Sequence, residues 1–422
     1  MMLFYFKLYQ KLRKFVFSEN LDKFCNLIKS LKMKPLFLKF ALLILMFILN
    51  QQSIAALELS KNAQISLITG SPGTELYTLF GHSAIRVYDP FYGFDILYNY
   101  GTFDFNTPNF TLKFVQGRLN YALSKEYYQA FVEFYKREGR SIDEQVLDLT
   151  QVQKQKLFDF LEENYKPENR FYKYDFFFDN CSSRIRDVLI KVYKSDIVFE
   201  NTTPKESKTF KALLDPYLKD AWLSLGIYLI LGAPADKVAS KSDYMYLPDY
   251  LNYAFADAKI KNGDEMIPLV KETKSVYQAI VTRPATYFFT PHLVFWVFLG
   301  VIAGITYLGY QRNKIAKGLD FFIFFLMGLV GCFFLFTWFG TDHQVLPMNF
   351  NMLWALPTHF IFAFYLWKGK LPNFVKIYFL ISAFILIFTL VGWFFLPQRL
   401  HTAIIPIILV LLIRSIYRWA KS

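Results

Sequence analysis

Apolar residues follow two different rhythms along this chain. Between residues 57 and 285 they recur with the short periods of half-buried strands and helices, among an ordinary density of charges. After Tyr287 the charges nearly vanish, and five apolar runs follow at roughly 288–310, 320–340, 350–367, 374–396 and 401–419. Each has the length of a spanning helix, for which about 20 residues are needed. The break defines three regions: a basic leader over 1–56, an exported domain over 57–285 and a five-span transmembrane domain over 286–422.

Within the exported domain the pattern predicts strands over 64–68, 84–88, 96–100 and 145–149. Helices are expected over 110–119, 125–138, 150–165, 181–193, 207–219 and 221–231, with Thr150 as a cap and Pro167 as a stop. The helix over 181–193 is the clearest. Ile185, Val188, Leu189, Val192 and Tyr193 fall at i, i+3, i+4, i+7 and i+8, an apolar stripe that faces a core. The run 223–231 is too short to span a bilayer and reads as a buried or interfacial helix.

The formal net charge of +13 suggests nucleic acid until its distribution is considered. Much of the excess lies in residues 1–42, and more lies in short loops between the later apolar runs, so no nucleic-acid partner is expected. Arg312, Lys314 and Lys317 follow the first run, Lys368 and Lys370 follow the third, and Arg414, Arg418 and Lys421 end the chain. The loops 341–348 and 397–401 hold one Lys or Arg between them, Arg399. Basic loops alternating with neutral ones put the C-terminus in the cytoplasm and residues 57–285 outside. The run 36–49 agrees: with Lys32 and Lys34 before it and Ser53-Ile54-Ala55 after it, it reads as a signal peptide, or else as an uncleaved anchor. The stretch ahead of it is long for such a leader, and Met33 is a more ordinary start.

The three cysteines, Cys25, Cys181 and Cys332, form no CxxC and no zinc-spaced cluster, so neither metal nor cofactor is expected. If the middle domain is exported, Cys181 is its only cysteine and has no disulfide partner within it. A lone thiol in an oxidising compartment points to chemistry. At the first turn of its helix it meets unpaired N–H groups and the positive end of the macrodipole, both of which favour thiolate. The ordinary alternative is a small buried hydrophobe, yet Cys181 lies off the apolar stripe. Asp179 and Asn180 are candidate caps, and the Asn180 or Cys181 N–H a candidate oxyanion donor. His82, after Gly81 at the mouth of a strand, is the only histidine of the exported domain and the candidate base. Asn99 on the next strand is the candidate third member, with Asp89 and Asp104 competing. Arg86 and Arg184 are candidates for an anionic headgroup, although they and Arg186 could equally pair with Asp187 or Asp89. His343, Asn349 and Asn351 fall on the outer side with Asp342, Trp354 and His401, and are candidates for lining a substrate site.

Four stretches carry a resemblance. They are Gly81-His82-Ser83-Ala84-Ile85-Arg86-Val87, Tyr98-Asn99-Tyr100-Gly101-Thr102-Phe103-Asp104-Phe105, Phe178-Asp179-Asn180-Cys181-Ser182-Ser183-Arg184-Ile185-Arg186-Asp187, and Thr341-Asp342-His343 with Asn349-Phe350-Asn351-Met352-Leu353-Trp354. In these the chain resembles the Lnb-type bacterial lipoprotein N-acyltransferases. The resemblance implies an α+β papain-like domain, permuted as in NlpC/P60 proteins with histidine before cysteine, followed by an all-α five-helix membrane region. It puts the catalytic pair on His82 and Cys181. The implied partners are a phospholipid acyl donor and a diacylated lipoprotein acceptor. Two other readings share parts of this pattern: a membrane-anchored cysteine peptidase or amidase, and a non-enzymatic membrane scaffold.

Overall fold

The strand pattern between residues 64 and 102 becomes the middle of a seven-stranded sheet in the computed structural model, which describes residues 57–200, 207–280, 288–368 and 370–421. Leu59–Ser422 forms one compact unit, apart from Met1–Glu58, and only the former is described here. The expected signal peptide or anchor lies outside the described residues. The strands are β1 (Gln64–Gly70), β2 (His82–Asp89), β3 (Phe94–Thr102), β4 (Asn120–Tyr127), β5 (Ile142–Leu147), β6 (Phe171–Lys173) and, after a small three-stranded sheet of β7 (Ile197–Val198), β8 (Lys259–Asn262) and β9 (Glu265–Pro268), the edge strand β10 (Val270–Tyr277). Their order is β10-β5-β1-β2-β3-β4-β6, antiparallel throughout.

Register explains the two cores. Ile85 pairs with Leu67 on one side and Tyr98 on the other. The period of two then sends Ile65, Leu67, Ile85, Val87, Tyr98, Tyr100 and Leu123 to one face, and Ile68, Ala84 and Leu97 to the other. A strand shifted by one residue would exchange these sets. Three helices cover the first face. They are one of Gln151–Tyr165, one of Cys181–Tyr193 and one of Pro248–Asp257, and they contribute Leu157, Leu161, Ile185, Leu189, Leu251 and Phe255. The second face is covered by the helix Tyr128–Arg137 through Phe131, Val132 and Tyr135.

We number the helices α1 (Phe110–Val115), α2 (Tyr128–Arg137), α3 (Gln151–Tyr165), α4 (Cys181–Tyr193), α5 (Phe210–Leu214), α6 (Ala221–Ile230), α7 (Pro248–Asp257), α8 (Pro291–Gln311), α9 (Lys317–Phe339), α10 (His359–Ala363), α11 (Asn373–Val391) and α12 (Ile405–Lys421). Thr150 caps α3 in a capping box with Gln153. Three expectations are corrected. The helix expected over 125–138 begins only at Tyr128, because Tyr121 and Leu123 alternate into the core and carry β4 as far as Tyr127. The helix expected over 110–119 stops at Val115, ahead of Gly117 at φ +68°. The helix expected over 207–219 shrinks to α5, since Thr209 caps its start and Pro216 lacks the N–H that would carry the helix on.

Among the described residues, four segments of the C-terminal region are long and apolar enough to cross a membrane: α8, α9, α11 and Thr402–Lys421, which includes α12. The third expected span is different. Residues 350–367 form a 3₁₀ turn at Phe350–Leu353, then α10, then a second 3₁₀ turn at Phe364–Trp367. Pro357 lacks the N–H a continuous helix would need there. The broken segment runs antiparallel along α9: Trp354 meets Phe334, Phe360 meets Phe325, and Trp367 meets Phe321. Gly331 and Gly328 allow that approach, since a Cβ on them would lie 2.1 Å from the Ala355 oxygen and 2.0 Å from the Phe360 nitrogen. The expected five helices are therefore four long ones and an interrupted segment.

The soluble and membrane parts meet at the C-terminus of α6, whose last carbonyls have no partner within the helix. Asn349 Nδ2 donates to the Leu229 oxygen at 2.7 Å, and Asn351 Nδ2 reaches the Tyr228 and Leu229 oxygens. Gln398 Nε2 donates to the Leu231 oxygen at 2.8 Å. The Gly232 N–H bonds the Val345 oxygen at 2.8 Å. Three amide side chains from the membrane region thus finish a helix of the soluble domain.

Candidate active site

The start of α4 is built by Asn180. Its Oδ1 accepts from the Ser182 and Ser183 N–H groups, both at 2.9 Å, and its own N–H donates to Ser183 Oγ at 2.8 Å. Such a cap contributes about 1 kcal/mol. Its Nδ2 donates to the Phe176 and Tyr246 oxygens, both at 2.7 Å, which ties the helix start to two neighbouring loops. Cys181 is thereby held as the first helical residue, 7% exposed. Asp179, the other expected cap, does not serve: its carboxylate pairs with Arg184 at 2.6 Å. The Asn180 N–H, taken by Ser183, is likewise removed as an oxyanion donor.

Opposite this turn, Gly81 adopts φ +81°, where a Cβ would lie 2.8 Å from the Gly70 oxygen. Only glycine fits there without strain. The next residue, His82, opens β2. Ser83 Oγ and Ser182 Oγ bond each other at 2.9 Å in the core, pinning the strand to the helix one residue beyond each candidate.

His82 and Cys181 line one cavity and lie within electrostatic reach of each other. The imidazole is hydrogen-bonded through Nε2 to Asn99 Oδ1. Asn99 Nδ2 donates to Glu126 Oε1 at 2.5 Å, which orients the amide so that its oxygen faces the ring. Nε2 then carries the hydrogen, and Nδ1 is the nitrogen left for Cys181. Asn99 is therefore the residue at His82, whereas Asp89 accepts from Ser60 and Asp104 closes a local turn.

The electrostatics favour an ion pair. Burial opposes ionisation of Cys181, but the charge on His82 and its hydrogen bond outweigh this, with the Ser83 N–H and Ser182 hydroxyl assisting. The thiol is held below its ordinary range. Burial also opposes the imidazolium, and Cys181, Asn99 and Glu126 together reverse that, raising His82. Burial pushes Glu126 up, with Asn99 and His82 opposing.

The pair opens into a cavity of about 630 Å³, within the usual range for a small-molecule site. Its wall is mainly aromatic, including Phe80, Phe103, Phe110, Tyr121 and Tyr174. The membrane region completes it with His343, Val345 and Leu346. His343 packs against Gly117, where a Cβ would lie 3.1 Å from the ring. Beside it Asp342 pairs with Arg118 at 3.0 Å.

Of the expected site residues, His82, Asn99, Cys181 and His343 line this cavity. Arg86 and Arg184 do not. Arg86 is divided between Asp95 at 2.6 Å and Glu144 at 2.9 Å, over the Tyr128 ring. Arg184 pairs with Asp179 and lies 3.5 Å over Tyr172. Asn349 and Asn351 are occupied at the α6 carbonyls, away from the cavity. Glu126 and Arg140 went unrecognised in the sequence. Alternation along β4 puts Glu126 on the same face as Ser124, the cross-strand partner of Asn99, which is the one available signal. Among the described residues no group of three or more His, Cys, Asp or Glu could hold a metal ion.

Comparison with known proteins bears on both halves. The family model described as the Lnb N-terminal periplasmic domain matches residues 54–215, and that of the Lnb transmembrane domain matches 283–422. No curated protein and no solved structure matches the chain. Matched in its soluble and its membrane part alike, the chain belongs to the Lnb family and is a membrane protein with a periplasmic domain.

Proposed function

We propose that this protein is a lipoprotein N-acyltransferase of the inner membrane, with its C-terminus in the cytoplasm. The observation that carries the reading is the joint construction of the cavity. A cysteine–histidine–asparagine arrangement faces an aromatic chamber whose wall is completed by the outer loop of the membrane region. A soluble peptidase needs neither the chamber nor the loop. The cysteine at a helix start, packed on an antiparallel sheet that carries the histidine and asparagine, supports a papain-like description.

In the first half-reaction the Cys181 thiolate attacks a phospholipid ester carbonyl. The C–S bond forms, and the bond between the acyl carbon and the glycerol oxygen breaks as His82 Nδ1 gives its proton to that leaving oxygen. The Cys181 N–H, in the first turn and without an intrahelical acceptor, stabilises the oxyanion. Neutral His82 then accepts a proton from the α-amine of a diacylated lipoprotein. That nitrogen attacks the thioester, forming the amide and returning the thiolate. An apolar chamber keeps water from the thioester and favours aminolysis over hydrolysis.

The test is product formation in detergent or nanodiscs. Full-length protein given phospholipid and a synthetic diacylated lipopeptide converts the lipopeptide to its N-acyl form by mass spectrometry, and Cys181→Ala does not. Conversion by Cys181→Ala, or peptide cleavage in place of acylation, overturns the reading.

A further inference from the structure

Among the described residues Arg140 is the one Lys or Arg side chain in the wall of the cavity, and no ion pair joins it to a carboxylate. It is 4% exposed. Nε donates to the Ser71 oxygen at 2.9 Å, and the guanidinium lies 4.2 Å over the Tyr135 ring. Nη2 is buried with no hydrogen-bond partner. Among the described residues the partly buried arginines of the soluble domain differ: Arg86 has Asp95 and Glu144, Arg184 has Asp179 and Arg186 has Asp187, while Arg170, which has no ion pair, does not line the cavity. A buried cation without a counter-charge is costly, and the cost is removed when an anion arrives beside it. An arginine fork also matches the oxygens of a phosphate in pairs.

Its place in the cavity restricts that anion. Tyr135, whose ring lies under the Arg140 guanidinium, lines the same cavity as Cys181 and Glu126 and is within electrostatic reach of both. The cation and the thiol therefore belong to one chamber and can meet one molecule. In a phospholipid the phosphodiester is joined to the acyl ester through a single glycerol unit. We propose that Arg140 binds the phosphate of the acyl-donor phospholipid, so that the ester is presented to Cys181 and the acyl chain to the aromatic wall. This rests on the acyltransferase reading for the identity of the donor.

Binding without turnover tests it. Full-length Cys181→Ala protein in a phosphate-free maltoside detergent is titrated with dihexanoyl phosphatidylglycerol and with dihexanoylglycerol, which lacks the phosphate. The phosphate-bearing lipid binds at least about tenfold more tightly. Adding Arg140→Gln abolishes the preference and leaves the neutral lipid bound as before, while Arg140→Lys keeps part of it. A preference that survives Arg140→Gln, or no preference in Cys181→Ala, overturns the proposal. So does loss of both lipids in Arg140→Gln, which would mark the side chain as structural. Inorganic phosphate binding without any lipid preference would point to free phosphate and also overturns it. Failure of the acyltransferase reading shows separately, as absence of N-acylated lipopeptide with the wild-type chain.

Discussion

Cys181 owes its setting to a small set of polar contacts, each with a separate consequence. The thiol is held below its ordinary range by His82 against the opposing effect of burial. The thiolate therefore persists to lower pH than that of an ordinary cysteine and is lost as pH falls through the lowered cysteine value. The imidazolium persists to higher pH than that of an ordinary histidine and is lost as pH rises through the raised histidine value. Alkylation of Cys181 by iodoacetamide should accordingly stay fast on the acid side of the range of a free thiol. In His82→Ala only burial and the minor hydrogen bonds remain, and the rate at neutral pH should fall. Equal pH profiles for the two proteins would contradict the ion pair. One step further back, Asn99→Ala should lower kcat by on the order of a hundredfold, as loss of an orienting third member does. Glu126→Ala should cost about tenfold through the freed Asn99 amide, and Glu126→Gln, which keeps an acceptor oxygen, much less. Steady-state kinetics on the lipopeptide reads all three.

At the scale of elements, the legible parts of the sequence were those with a strong period. The stripe of α4 and the alternation of β1 to β3 pointed directly at the buried faces, and with them at the turn bearing Cys181 and the strand bearing His82. What escaped was decided by tertiary contacts. The hairpin of β8 and β9 turns at Gly263 but buries little of its own surface, so no apolar rhythm announces it. The span over 350–367 is apolar enough for a helix and is broken by Pro357 and by close packing on α9. Arg86 and Arg184 stand beside the candidate pair in sequence, yet β2 carries Arg86 to the carboxylates of β3 and β5, while Arg184 turns to Asp179. Arg140, distant in sequence, is the one that reaches the cavity. Asn349 and Asn351 looked like site residues because polar groups at bilayer depth are expensive; the α6 carbonyls account for them instead. Asn349→Ala should leave those carbonyls unsatisfied at a cost of about 1–3 kcal/mol. A lowered melting midpoint of the full-length protein in detergent would register this, and an unchanged one would contradict the capping role.

For the whole molecule the central point is that one chamber is built by two regions of different solvent. The soluble domain contributes Cys181, His82 and most of the aromatic wall. The membrane region contributes His343, Val345 and Leu346, and grips α6 through three amides. The Arg118–Asp342 pair at this junction is half exposed, at 49% and 55%, and solvent screening leaves it little weight. The junction is held instead by buried hydrogen bonds and by close backbone approaches such as that at Gly232, where a Cβ would lie 1.9 Å from the Pro347 oxygen. The most direct measurement is the intact mass of the wild-type protein after brief incubation with phospholipid alone. The account predicts one added acyl chain on Cys181, which leaves the protein and appears on the α-amine of a diacylated lipopeptide when that is added. A folded protein that acquires no acyl group, or loses it only to water, would contradict it.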